Sequence, residues 1–245
     1  SVAGLHVPSF ALWANLYGRC LRIAINNGFC FAGNAALFGS ADIRIATKNS
    51  WIGMAGPAMI EGGGLGKFDP KEIGPSDIQK NNGVIDYVAE DEKEATIIAK
   101  KILSYFQGDI KDWKADDQTQ LSNIMPKDRR WSYPVRDIIK IISDIEEFTE
   151  IKPEYGKGIV TCFIRIEGKP FGLLANDSQH LGGAIDSEGA DKASSFIEIC
   201  SEYGLPLISL VDTPGFMVGP DSEKEGAVKR MSNLFKIGSK VKVPL

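Results

Sequence analysis

Residues 28–39, GFCFAGNAALFG, set small side chains directly after an apolar run, Leu21-Arg22-Ile23-Ala24-Ile25-Asn26. The run reads as a buried strand ending at Asn27-Gly28. Ala32 to Ala36 read as a tight turn into a helix. A helix N-terminus presents N–H groups that no intrahelical carbonyl accepts. Such amides bind anions or hold an oxyanion as it develops. The candidate donors are the backbone amides of Ala32 and Gly33. The same small residues also suit a close helix–strand contact with no chemistry attached. On the residues alone, both readings stand.

Side-chain catalysts are few. Cys30 lies inside the stretch, but Phe29 and Phe31 beside it point to an inert buried thiol. His180 sits in a loop between Gln179 and Leu181. No Ser or Cys in a recognisable elbow accompanies it, so no triad is assembled. Gly62-Gly63-Gly64 has a phosphate-cradling composition, yet GxxxxGK[ST] and GxGxxG are both absent, which favours a ligand-lining loop. Asp212-Thr213-Pro214-Gly215 has the Asp-x-x-Gly form of GTPases, a reading that fails without a P-loop. The acids at Asp91-Glu92-Lys93-Glu94 compensate a helix dipole. Glycine-rich backbone sites with few side-chain catalysts fit an enzyme whose chemistry comes from a cofactor and whose amides stabilise oxyanions.

The elements that must position these groups alternate between strand and helix. A short helix is expected over 8–17, strands over 42–46 and 51–54, and a helix that Pro57 opens and the three glycines close. A short helix follows over 74–83 and a strand over 84–88. The apolar spacing of Ala95, Ile98, Ala99, Ile102, Leu103 and Phe106 marks a helix closed by Gly108. Residues 109–131 are polar, without a long apolar period, and read as an inter-domain linker. The second half brings a helix over 135–142, a strand–turn–strand over 159–176 and a loop over 177–186. A helix over 190–203, a strand over 207–211, the Asp212 loop, a helix over 222–235 and a strand opening at Val241 complete it. The alternation argues for an α/β fold with parallel-type sheets. Loops at the C-terminal ends of such strands are where these sheets put ligands.

Composition narrows the class. The chain has 245 residues, 43% hydrophobic and 24% charged, as in an ordinary soluble domain. A net charge of −4 gives no basic footprint for nucleic acid. No run approaches the eighteen or so apolar residues of a membrane span, and the N-terminus lacks the basic flank of a signal peptide. Cys20, Cys30, Cys162 and Cys200 are widely spaced with no CxxC pair. They fit free thiols in a reducing compartment, the cytoplasm or a mitochondrial matrix. The two histidines, His6 and His180, neighbour no cysteine, so no zinc site is expected. A start directly in an apolar segment and an end at the opening of a strand lead us to expect a fragment of something longer.

Five segments together resemble the carboxyltransferase component of biotin-dependent acyl-CoA carboxylases, in the crotonase-like superfamily. They are residues 28–42 (GFCFAGNAALFGSAD), 52–66 (IGMAGPAMIEGGGLG), 72–86 (EIGPSDIQKNNGVID), 164–193 (IRIEGKPFGLLANDSQHLGGAIDSEGADKA) and 212–220 (DTPGFMVGP). FAGNAAL, GPAMIEGGGLG and HLGGAIDSEGADKA are most similar to the carboxyltransferase part of single-chain acyl-CoA carboxylases.

The resemblance implies two crotonase-like α/β domains, each incomplete here. The later part of the first covers 1–108, the linker 109–131, and the early part of the second 132–245. It implies transfer of a carboxyl group from carboxybiotin, held on a carrier domain, to the α-carbon of an acyl-CoA thioester. The biotin oxyanion and the thioester enolate are each held by a pair of backbone amides, and the freed biotin takes the α-proton. The first oxyanion hole falls on Ala32 and Gly33, flanked by Phe31, with Asn34 where many relatives have a second glycine. Gly56 and Pro57 line the same pocket. Gly182-Gly183-Ala184 and Gly215-Phe216 are the biotin-facing and acyl-facing walls. The second hole follows the strand opening at Val241. Partners are a biotin carboxylase, a biotin carboxyl carrier and acyl-CoA. A homo-oligomer is implied, with the active site between the first domain of one subunit and the second of another. No metal is expected. The alternatives are a biotin-independent hydratase, isomerase or decarboxylase with Glu61 as the nearest acid, and an inactive scaffold.

Overall fold

The computed structural model describes residues 7–126, 128 and 131–245. His6, and Lys127, Arg129 and Arg130 of the polar stretch, lie outside the described residues. The chain divides into two compact units, Ser1–Lys101 and Ile102–Leu245.

The first unit begins with α1 (Pro8–Ala14), whose proline takes the first helical position, where a missing N–H is harmless. It continues through β1 (Ile23–Phe31), α2 (Gly33–Gly39), β2 (Ile43–Gly53), α3 (Pro57–Gly62), α4 (Ser76–Gln79) and β3 (Tyr87–Ala89). The three strands form a parallel sheet in the order β1-β2-β3. Cys30, Ala35, Phe38, Ala46, Ile52 and Ile85 pack as its core.

Two corrections concern this sheet. β1 does not end at Asn27-Gly28 but runs on to Phe31 through a bulge between Asn26 and Gly28, where Gly28 takes φ +91°. The glycine supplies a positive φ and the strand resumes. The two expected pieces over 42–54 are one strand, β2. Ser50 is fully buried within it and donates to the Asn26 carbonyl at 3.1 Å, so a polar pair that reads as a turn instead ties β1 to β2.

Register is fixed by one device used twice. The Arg22 N–H and guanidinium both bond the Asp42 carboxylate, and Asp42 N–H returns a bond to the Arg22 carbonyl. One strand further on, Arg44 and Asp86 repeat every one of these contacts. Each bidentate pair spans the entrance of adjacent strands.

Helix α5 (Glu92–Tyr105) crosses the division between the units, and α6 (Leu121–Ile124) and α7 (Val135–Ile142) follow. The polar stretch expected as a linker packs on the second unit. Ile110 N–H donates to Gly168 at 3.0 Å, Ile145 N–H donates to Lys114 at 2.7 Å, and Ala115 bridges Asp144.

The second unit then forms β4 (Phe148–Ile151), β5 (Ile159–Ile166), β6 (Lys169–Asn176), α8 (Ser187–Glu202), β7 (Leu207–Leu210), α9 (Pro220–Lys224) and α10 (Ala227–Gly238). Its sheet, β4-β5-β6-β7, is mixed rather than parallel: β4-β5 and β5-β6 are antiparallel and only β6-β7 is parallel. The cause is a two-residue hairpin at Glu167-Gly168, with φ +52° and +77°, the conformation that matches strand twist. The helix expected over 222–235 is broken at Gly226, φ +74°. Residues 241–245 form no strand, although the Pro244 carbonyl accepts from Leu207 N–H at 2.9 Å. One such bond does not make a ladder.

Candidate functional site

In the first unit the candidate site is the junction of β1 and α2. Ala32 joins them at φ 54°, ψ −123°, a conformation that L-residues avoid. Its carbonyl accepts the first bond of α2, from Ala36 at 3.0 Å. Its N–H donates to the Gly53 carbonyl at 3.1 Å, extending the β1-β2 ladder by one residue. The Ala32 amide is therefore already engaged. Among the described residues no acceptor reaches the next two amides, Gly33 and Asn34, at the start of α2. Of the two amides read as donors in the sequence, Ala32 is thus engaged and Gly33 is not.

The turn stores strain that glycine would release. Ala32→Gly is expected to stabilise the fold by about 1 kcal/mol, because a strained non-glycine costs about 1–3 kcal/mol and glycine's extra chain entropy about 0.5–1 kcal/mol. Urea unfolding measures this; a lower midpoint would show that the alanine conformation carries no strain.

The Phe31 ring lies against the start of α3. A Cβ built on Gly56 would stand 3.2 Å from Phe31 Cδ2, so a larger residue before Pro57 would push the ring aside by a few tenths of an ångström. Phe31, Gly56 and Pro57 thus gather around the junction. Asn34 lines an adjacent groove of about 510 Å³ with Trp13, Ile25, Phe29, Leu37 and Phe38. Cys30 also borders this groove, and burial pushes its thiol pKa up, which keeps it protonated and inert. Glu61 is ion-paired with Lys67 at 2.8 Å.

In the second unit two loops leave the parallel pair β6-β7 at its C-terminal edge. The first holds Gly182 at φ 61° and Gly183 at φ 84°. The second holds Gly215 at φ 127°. Ile185 and Phe216 bridge them: Ile185 N–H donates to Gly215 at 3.0 Å, and Met217 N–H donates to Ile185 at 2.8 Å. A Cβ on Gly183 would lie 2.4 Å from the Asp212 carbonyl, so the two backbones touch there. Gly182 and Gly215 have nothing within 4 Å of a built Cβ. The structure therefore brings Gly182, Gly183, Ala184, Gly215 and Phe216 together where the two loops meet, with open glycine faces on both loops.

Three polar residues that the sequence did not single out hold these loops. Asn176 bonds both. The Tyr133 side chain faces Asp212, and its pKa is pushed up to about 12 by burial and by that carboxylate, while its backbone N–H donates to Ser178 Oγ at 3.2 Å. Arg136 forks onto Glu150 and reaches Asp177, the first residue of the Gly182 loop. Buried polar groups at strand ends are the signal that could have found them. His180 has Nε2 3.8 Å from Asp186, which caps α8 through Gly189 N–H at 2.7 Å. No nucleophile accompanies it among the described residues. A separate groove of about 570 Å³ beside α10, lined by Asp191, Lys229, Arg230 and Lys236, contains none of the candidate residues.

Comparison with known proteins decides the family, because the carboxyl transferase domain matches residues 7–245. The chain belongs to the carboxyl transferase domain family. It is 32% identical over 238 residues to the methylmalonyl-CoA carboxyltransferase 12S subunit of Propionibacterium freudenreichii subsp. shermanii, covering 94% of this chain and 45% of that protein. It is 31% identical to the biotin-dependent acetyl-/propionyl-coenzyme A carboxylase beta6 subunit of Mycobacterium tuberculosis, covering 87% of this chain and 47% of that subunit. The chain spans about half the length of these curated relatives. Among solved structures, a single-chain, multi-domain long-chain acyl-CoA carboxylase superposes with TM-score 0.96 at 51% identity, covering 100% of this chain and 24% of that one. The transcarboxylase 12S crystal structure, described as a hexamer assembly with hydrolysed methylmalonyl-coenzyme A bound, superposes with TM-score 0.85 at 31% identity, covering 96% of this chain and 48% of that one. The resemblance read from FAGNAAL, GPAMIEGGGLG and HLGGAIDSEGADKA is borne out, and the fold is the α/β crotonase-like fold of carboxyltransferases.

Proposed function

We propose that this chain is part of a carboxyltransferase that moves a carboxyl group from carboxybiotin to the α-carbon of an acyl-CoA thioester. The observation that carries the reading is the pair of unengaged amides, Gly33 and Asn34, raised on the strained Ala32 turn. In this reading they form the first oxyanion hole, and Ala32 shapes the turn without donating. Two adjacent N–H groups at a helix start stabilise an enolate oxygen with little reorganisation. Carboxybiotin, when bound, supplies the carboxyl group and the base for the α-proton. The Gly182–Ala184 loop is its wall, and the open face at Gly182 leaves room for a flat ring. The Gly215-Phe216 loop is the wall for the acyl group. Phe31, Gly56 and Pro57 close the pocket around the hole. No side-chain base is required of the protein, in keeping with the protonated Cys30 thiol and the Lys67-paired Glu61.

Residues 1–108 are assigned to the later part of an N-terminal carboxyltransferase domain and 132–245 to the early part of a C-terminal one. The partners are a biotin carboxylase and a biotin carboxyl carrier, on the same polypeptide or separate, within a homo-oligomer. The hexamer of the transcarboxylase 12S relative supports this assembly.

The test supplies the full-length protein with a biotinylated carrier, a biotin carboxylase, ATP and labelled bicarbonate. Acid-stable label is expected in one or more of acetyl-, propionyl- and palmitoyl-CoA. Label that stays on the carrier with every thioester would refute the proposal.

A further inference from the structure

Asn176 ends β6 with only 6% of its surface exposed. Its side-chain amide faces two loops at once. Nδ2 donates to the Gly183 carbonyl at 3.3 Å, and Oδ1 accepts from the Asp212 N–H at 3.2 Å. The first loop leaves β6 and the second leaves β7, whose ends are in register through Ala175 and Leu210. A carboxamide carries its donor and acceptor on one rigid plane. A group bonded through both ends sets the separation of the two loops, not merely the shape of either.

The remaining ties lie elsewhere along the loops. The Ile185–Phe216 bridge joins them at Gly215, whose carbonyl accepts from Ile185 N–H, and Tyr133 meets the first loop through its backbone N–H at Ser178 Oγ and faces the second with its side chain at Asp212. Arg136 reaches only the start of the Gly182 loop, through Asp177. Asn176 alone among these three side chains bonds both loops directly.

We infer that Asn176 is a positioning residue that fixes the distance between the Gly182–Ala184 wall and the Gly215-Phe216 wall. The inference rests on the proposed function, in which those walls face the carboxyl donor and the acyl acceptor. In transfer, the N–C bond of the donor breaks, a C–C bond forms at the α-carbon, and the α-proton goes to the freed nitrogen. With the acceptor out of reach, the same N–C bond breaks, CO2 escapes, and the nitrogen takes its proton from water. The separation of the walls therefore governs how the carboxyl group divides between transfer and loss.

Asn176→Asp tests this in the full-length protein. It keeps the shape and the acceptor for Asp212 N–H but sets a second oxygen against the Gly183 carbonyl. With a carboxylated carrier as donor, the ratio of transferred label to released CO2 is expected to fall roughly 10- to 100-fold, the scale of a misplacement of about 1 Å. KM for carrier and for acyl-CoA should each stay within about two-fold, because each wall is intact by itself. Counted above the CO2 that the carboxylated carrier loses by itself, the ratio does not depend on how much protein is folded, so a merely structural loss leaves it unmoved. Asn176→Ala removes both bonds, and hydrogen exchange at the Asp212 amide is expected to quicken about tenfold, without any substrate present. An unchanged ratio in Asn176→Asp, or wild-type exchange at Asp212 in Asn176→Ala, overturns the assignment. Wild-type protein that labels no acyl-CoA overturns the proposed function instead, and the exchange measurement still reports on the tie.

Discussion

Gly33→Pro is expected to lower kcat for carboxyl transfer by about 10²- to 10³-fold, the usual consequence of removing one oxyanion-hole donor. The substitution removes the N–H and little else from the helix. Gly33 occupies the first position of α2, where an amide has no intrahelical acceptor and proline's fixed φ is tolerated. It also adds a Cβ, which would stand 3.0 Å from Phe10 Cζ, so the tip of that ring must give way by a few tenths of an ångström. Gly33→Ala adds the same carbon and keeps the N–H. The difference between the two variants isolates the hydrogen bond from the crowding. KM for acyl-CoA should change little, because the bond strengthens as charge develops on the thioester oxygen. Equal kcat in Gly33→Pro and Gly33→Ala would remove this amide from the mechanism. Asn34→Ala, which keeps its N–H, should retain activity.

Why the amide of Ala32, one of the two read as donors, is engaged in the fold is a matter of tertiary register. The small-residue turn into α2 is legible, since an apolar run followed by Ala-Gly-Asn-Ala-Ala has few other outcomes. Which of its amides are free is decided by the end of β2, a strand that pairs in space and lies some twenty residues on. Gly53 presents its carbonyl to Ala32, and no local pattern announces that. The same holds for β4, which the sequence reading passed over. Thr149 and Glu150 look like solvent-facing residues, but Thr149 is buried against Tyr105, and Glu150 is held by the Arg136 fork. Local signals worked where the cause is local. The period of 135–142 gives α7 to the residue, and the Glu167-Gly168 turn gives the β5-β6 hairpin. The meeting of the Gly182 and Gly215 loops was half visible. Each loop stands out by composition, yet the parallel pairing of β6 with β7 is what makes them neighbours. Asn176, Tyr133 and Arg136, which secure those loops, carry no motif of their own.

Lys192→Met should raise the stability of the second unit by about 2–4 kcal/mol at pH 7, the scale on which apolar replacement of a buried charge stabilises. Lys192 lies on α8 with 1% of its surface exposed, and among the described residues no hydrogen-bond partner reaches its Nζ. Burial lowers its pKa to about 7; Glu150 and Cys162 oppose the shift, and Arg136 and Lys152 reinforce it. The unfolded chain holds this proton up to about pH 10.5, so between about pH 7 and 10.5 it binds more protons than the folded one. Stability must then rise with pH across that window, and the penalty is greatest at and below about pH 7. The advantage of Lys192→Met should accordingly be largest at pH 6–7 and shrink toward pH 10. Burial raises the pKa of the Cys162 and Cys200 thiols, which bends both curves the other way above about pH 9; the Cys200 part cancels in the difference, while Cys162 interacts with Lys192, so the comparison is read below about pH 9. Urea unfolding of both proteins at a series of pH values gives that difference directly. A gap that is flat with pH, or a variant less stable than the parent at pH 7, would mean that the ammonium is paired in the folded protein and that Lys192 contributes to stability rather than opposing it.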